Sequence, residues 1–288
     1  MASADRTEAS HAEYAGLVRA GLIGAGLASL VLTAGFFWRW DWATELWPWP
    51  DTRLSFVFLA SIVAAIGLPA LWIGLSGELR AIEAGALDLA VTYAGMVAYV
   101  LALLGDPGQP ALGGYVVAFA ALGLFSLAAY LWSRRIPRRD PRPMPTPVRI
   151  SFAVLACALI GFGTALLFGA DVFPWQLGDE SSVMFGLIYL GAAVYFLHGI
   201  ARPSWSNATG QLIGFLAYDL VLIGPFLGHF DDASGGQLTS LWIYTAVVVY
   251  TACLAIYYLF IHRETRLFGP QAGVAGAPIE GFDNRPLR

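Results

Sequence analysis

Apolar residues in this chain fall in eight long runs, at approximately 17–38, 54–76, 85–104, 112–132, 150–170, 183–200, 208–227 and 240–262, parted by short polar or proline-bearing stretches. Each run holds about 18–23 residues, which at 1.5 Å rise per residue covers a ~30 Å hydrocarbon layer. Lipid offers no partner to backbone N–H and C=O groups, so each run predicts a helix. The pattern predicts an all-α, polytopic integral membrane protein of about eight transmembrane helices, disposed as two parallel four-helix halves. In segments, a tail (1–16) precedes the first half (17–132), an Arg/Pro-rich linker (133–149), the second half (150–262) and a C-terminal tail (263–288).

Composition agrees with lipid as the main solvent: 58% of the residues are apolar and 12% charged, where soluble domains carry about 25% charged residues. Net charge is −4, with no basic stripe, so nucleic acid is not an expected partner. The bilayer itself is, and a membrane-protein partner or a second copy of the chain is left open. Residues 1–16 hold Asp5, Glu8 and Glu13 against Arg6, which is not the positive start of a signal peptide, so the first run reads as a retained helix. Cys157 and Cys253 lie inside apolar runs and read as small packing residues.

Arginine placement predicts orientation. With an inside N-terminus and eight spans, fourteen of the sixteen arginines fall on the cytoplasmic side, and Arg39 and Arg53 alone fall outside. The outer loops are acidic instead, with Asp41, Glu45, Asp51, Asp106, Asp171, Asp179, Glu180, Asp231 and Asp232. This predicts a bacterial cytoplasmic (inner) membrane protein with both termini in the cytoplasm. The linker carries six arginines and five prolines, a density that excludes a regular helix and predicts an extended, semi-rigid connector.

The halves look like an internal repeat. Each leaves its first helix at a Pro-Trp pair, Pro48-Trp49 and Pro174-Trp175, followed by an aspartate (Asp51, Asp179) and a turn with one arginine (Arg80, Arg202). Four helices being an even number, such copies share orientation and relate by an axis along the membrane normal. The Pro-Trp turn resembles one in a group of uncharacterised bacterial multi-pass membrane proteins, which reads roughly Pro-Trp-x-Leu-Thr-x-x-x-x-Arg. The second copy matches it at Pro174, Trp175 and Leu177, with Gly178 in place of the threonine; the first matches at Pro48, Trp49, Thr52 and Arg53. The resemblance implies a multi-pass membrane fold and brings no activity.

Residues 38–49 hold Trp38, Trp40, Trp42, Trp47 and Trp49. Together with Trp175 they predict an aromatic belt at headgroup level, indole having an apolar body and one N–H donor. A flat binding surface interleaved with Arg39, Asp41 and Glu45 is the sharper alternative. Asp219 falls near mid-membrane in the seventh run, where a carboxylate costs about 2.5–3.5 kcal/mol. It is therefore expected to be protonated or hydrogen-bonded among the helices, as packing glue or as a proton-coupling group. Asp88, one turn into the third run, is expected with Glu78 and Glu83 at a solvated helix entrance beside Arg80. His198 and His262 lie near the cytoplasmic ends of the sixth and eighth runs and could face one another as metal or haem ligands. No spacing supports ligation, so no metal and no cofactor are expected. Pro69 and Pro225 kink non-equivalent helices. No phosphate loop, dinucleotide fingerprint or nucleophile elbow occurs. These observations favour a non-enzymatic membrane protein that packs through small residues such as Gly21, Gly24, Ala25 and Ala28. Two alternatives stand: a small-solute or proton-coupled transporter using Asp219, and a redox or enzyme subunit built on His198 and His262.

Overall fold

The computed structural model describes residues 2–106, 109, 111–140 and 142–268. It is all-helical there: α1 (Ala2–Phe37), a single turn α2 (Asp41–Thr44), α3 (Arg53–Ser76), α4 (Ile82–Leu103), α5 (Gly113–Ser133), α6 (Thr146–Leu167), α7 (Asp179–Ala201), α8 (Trp205–Gly228) and α9 (Gly235–Ile256). A 3₁₀ turn, Leu79–Ala81, leads into α4, and α9 ends in a π turn, Tyr257–Ile261. All but α2 are long and apolar enough to cross a membrane, which makes this a polytopic architecture of eight spans.

Local chemistry sets the helix ends. Thr52 caps α3 by accepting from Ser55 N, and Ser204 caps α8 by accepting from Asn207 N. Gly77 closes α3 at φ +76°, a left-handed position where a side chain is strained. Several spans open earlier than the hydropathy reading, most of all the third, at Leu79, where Arg80 and Glu83 pair inside the fold, and the eighth, at Gly235. Residues 2–16 of the expected tail continue as α1 backbone, and residues 269–288, with Arg285 and Arg288, lie outside the described residues.

Sequence neighbours pair as antiparallel hairpins, α1/α3, α4/α5, α6/α7 and α8/α9, and two further pairings, α3/α8 and α4/α7, join them. The result is two rows of four: α1-α3-α8-α9 and α5-α4-α7-α6. The sequence halves 17–132 and 150–262 thus do not form separate bundles. Each gives one hairpin to each row, since α3 packs far more on α8 than on α4. The pairing scheme is unchanged when the first four spans are exchanged for the last four.

Glycine sets the closeness of several contacts. Gly26 on α1 faces Gly67 on α3, and Gly163 on α6 faces Gly186 on α7; a Cβ on either Gly26 or Gly163 would stand 2.9 Å from the opposite carbonyl oxygen. Gly21, Gly24, Ala25 and Ala28 are exposed, so α1 packs through Gly26 and not through that stripe. Cys157 and Cys253 are likewise on the outside. Between the rows lies an aromatic layer. Phe58 of α3 contacts five rings, those of Phe173, Trp175, Phe185, Tyr189 and Tyr218.

Candidate functional site

Polar groups concentrate at the two ends of the bundle and at two places inside it. At the arginine-rich end, Glu83 in the first turn of α4 is fully buried. Arg80 Nε stands 2.9 Å from Glu83 Oε2, His198 Nε2 3.3 Å and Arg134 Nε 3.9 Å from Oε1, and Arg202 also pairs with Oε1. Arg80 Nε is not aligned for a directed hydrogen bond, so its attraction is mainly coulombic, and the His198 ring is a polar neighbour without a directed bond. Arg80 also donates to carbonyls at and just past the C-terminus of α5, those of Ser133, Arg134 and Ile136, where the helix dipole favours a cation. This carboxylate is therefore the hub of a charge cluster joining α4, α5 and α7. The expected solvated entrance is corrected for Glu83, whose four basic neighbours replace water. The Arg80–Glu83 interval of three residues was visible in sequence; the arrival of Arg134, His198 and Arg202 from later helices was not.

Other arginines at this end also close helix ends. Arg19 donates to Gly74 O and Leu75 O, and Arg139 to Ser76 O, so two guanidiniums cap α3. Arg142 pairs with Asp140 at 2.6 Å and donates to Glu264 O. The linker is thereby fastened to the bundle. Glu78 accepts from Ser206 at 3.3 Å; burial, and then Asp140, push its carboxyl above the ordinary glutamate range.

At the opposite, tryptophan-rich end, hydrogen bonds cross between the rows. Trp47 Nε1 donates to Ser181 Oγ (3.3 Å), and Ser181 donates to Asp51 (2.5 Å). Trp175 Nε1 donates to Ser55 Oγ (2.9 Å). Trp49 Nε1 donates to Gln109 (3.1 Å), which donates to Glu180 (2.7 Å). The six tryptophans expected as one belt separate into two groups. Trp38, Trp40 and Trp42 are exposed and stand ring to ring, whereas Trp49 and Trp175 are buried and Trp47 half-buried. The Pro-Trp turns fold back over the bundle, where each indole N–H finds an oxygen.

Inside, Asp219 is 1% exposed and faces α9, with Thr251 Oγ1 3.0 Å from Oδ1. That hydroxyl also lies 2.8 Å from Val247 O and 3.2 Å from Val248 O. A hydroxyl has one proton and carbonyls only accept, so the Oγ1–Oδ1 contact and the bond to Val247 O coexist when Asp219 holds a proton and donates it to Oγ1, while Oδ2 is buried without a partner. Both partners belong to one row. Asp88 is half-buried, accepts from Thr92 at 3.2 Å, and lies where Gly191 of α7 leaves room. Tyr189 and Tyr244 bring their hydroxyls to 3.4 Å between the rows.

The structure does not bring His198 and His262 together. His198 faces Glu83 and the Tyr130 ring; His262 lies against Tyr257 and Tyr258 with Nδ1 3.0 Å from Thr265 Oγ1. Among the described residues no group of three or more His, Cys, Asp and Glu stands ready for a metal. Comparison with family models, curated proteins and solved structures finds no match.

Proposed function

We propose that this chain is a non-enzymatic membrane protein of the carrier type, working by movement of its two rows against each other. One observation carries the reading. The described ion pairs lie within a row, within the linker or within one loop. The rows meet instead through aromatic packing and hydrogen bonds such as Trp47–Ser181, Trp175–Ser55 and Gln211–Tyr195 O. Hydrogen bonds of this kind contribute about 0.5–1.5 kcal/mol each, while breaking a buried ion pair costs about 3–5 kcal/mol. Rigid rows with a softer seam are what a device opening alternately at its two ends requires.

On this reading the hydroxyls of Tyr189 and Tyr244 are the polar lining a small solute meets at mid-depth. Asp219 joins α8 to α9 and moves with its row, which favours packing over proton coupling. The arginine-rich end is cytoplasmic by the fourteen-to-two distribution, in a bacterial inner membrane. The exchange-symmetric pairing of helices supports two related halves about an axis along the membrane normal.

The test is access to the seam. Phe173 is buried between the rows; Phe173→Cys, with Cys157 and Cys253 replaced by serine, is treated with a membrane-impermeant maleimide from the tryptophan side. Labelling is expected, and about tenfold faster when Trp47→Phe and Trp175→Phe remove two hydrogen bonds. No labelling in either background contradicts a moving seam.

A further inference from the structure

Among the described residues two arginines belong to the tryptophan-rich end, Arg39 and Arg53, and both line one cavity. It has a volume of about 510 Å³ and is walled by Phe37, Trp38, Arg39, Asp41, Thr44 and Arg53. The two come from different elements: Arg39 from the turn that closes α1, and Arg53 from the first position of α3. Among the described residues neither makes an ion pair or a side-chain hydrogen bond. The Arg39 guanidinium instead lies over the Phe56 ring, 5.7 Å from its centroid, a contact that holds it while leaving its five donors unused.

The backbone at Arg39 points the same way. Trp40 N donates to Gly35 O at 2.8 Å and Arg39 N to Phe36 O at 3.2 Å, the two bonds of a Schellman end. That motif places its penultimate residue in the left-handed region, where glycine is usual; here it is arginine, at φ +56°. The chain accepts backbone strain that glycine would relieve, and with it an arginine stands on the wall of the cavity. With Asp41 on the wall the lining carries a net charge of +1 on a face otherwise rich in carboxylates.

We infer that this cavity is an anion site for a phosphate ester, and that the ester is a phospholipid headgroup. Paired guanidiniums suit phosphate oxygens through forked, charge-assisted hydrogen bonds. Exposed Trp38 beside the cavity, with Trp40 and Trp42 next to it, puts the site at the depth of headgroup phosphates. A soluble phosphate ester shares this chemistry, and the experiment separates the two sources.

Delipidated protein in detergent is presented with phosphatidylglycerol, with diacylglycerol, or with glycerol 3-phosphate, and retention is read by native mass spectrometry. The site requires that phosphatidylglycerol be held and diacylglycerol not. Arg39→Gly, which relieves the backbone and so should fold at least as well, should weaken retention about tenfold, as loss of one charge-assisted donor set implies. Arg39→Gly with Arg53→Gln should abolish it. Tight binding of glycerol 3-phosphate, lost in the same variants, would keep the anion site and overturn the lipid source. Equal retention by wild type and the double variant, equal retention of diacylglycerol, or no retention at all overturns the site.

Discussion

Trp175 donates its indole N–H to the Ser55 hydroxyl across 2.9 Å, from the entry loop of α7 to the third residue of α3. The reverse contact also exists: Trp47, in the entry loop of α3, donates to Ser181, the third residue of α7. The interval of 126 residues that parts Pro48 from Pro174 also parts Ser55 from Ser181. The indoles are offset, Trp47 standing before its proline and Trp175 after Pro174, yet each turn fastens the start of the other half's second span, and the two rows are latched reciprocally at this end. Replacing both serines by alanine leaves the buried indole donor of Trp175 and the half-buried one of Trp47 unpaired. The expected loss is about 2–3 kcal/mol, from ~1 kcal/mol or more for each orphaned group. Thermal unfolding in detergent reads it; an unchanged midpoint would remove the latch from the account.

Glu83 is the residue on which the arginine-rich end depends. Glu83→Gln keeps the volume but leaves Arg80, Arg134 and Arg202 facing each other without their shared counter-charge. A loss of about 3–5 kcal/mol is expected, as for breaking a buried ion pair from one side. The check is the unfolding midpoint of Glu83→Gln beside that of Asp51→Asn, whose carboxylate sits in the hydrogen-bonded latch. Glu83→Gln should fall much further, and equal midpoints would contradict the cluster.

For Asp219 the hydrogen-bond count decides between substitutions. Asn can donate to Thr251 Oγ1 as the protonated acid does, so Asp219→Asn should fold normally. Asp219→Leu should weaken the α8/α9 contact by about 1–2 kcal/mol, the scale of membrane hydrogen bonds. Combined with Thr251→Val it should cost little more, because both changes remove one interaction. Strict additivity of Asp219→Leu and Thr251→Val would place the carboxyl's partner elsewhere.

Glu78 gives a pH dependence of definite sign. Its folded carboxyl titrates above the ordinary glutamate value, with burial the first cause and Asp140 the second. The folded state therefore binds the proton more tightly, and stability is fully present below the unfolded value of about 4.5 and declines as pH rises through the folded one. Glu78→Gln should flatten this slope in midpoint-versus-pH curves between pH 4 and neutrality. A wild-type curve that rises with pH, and rises less in the variant, has the opposite sign.

The eight spans were legible because hydropathy is local: a run of apolar residues needs no distant partner to declare itself. The start of α4 was not, since Arg80, Glu83 and Asp88 look like a polar boundary until Arg134, His198 and Arg202 supply the pairing. Tryptophan composition also could not divide the six indoles. Trp38 and Trp175 have the same chemistry, and only the fold-back of the Pro-Trp turn buries one of them. Asp219 announced its depth, whereas Thr251 was one hydroxyl among many. The interleaving of the halves into rows rests on α3/α8 and α4/α7, contacts between residues far apart in the chain, Gly95 and Leu187 among them, that no periodicity encodes.

The most direct test of moving rows is a distance measured between them at the tryptophan-rich end. Leu104, just past α4, and Leu227 on α8 are both exposed and belong to different rows. Spin labels at Leu104→Cys and Leu227→Cys, with the native cysteines replaced by serine, are read by pulsed electron resonance in lipid nanodiscs. Two distance populations are expected, a shorter one for the latched end and a longer one for the parted end. Trp47→Phe with Trp175→Phe should shift weight to the longer. A single narrow population, the same in both backgrounds, would mean that the rows form one rigid body and would contradict the carrier reading.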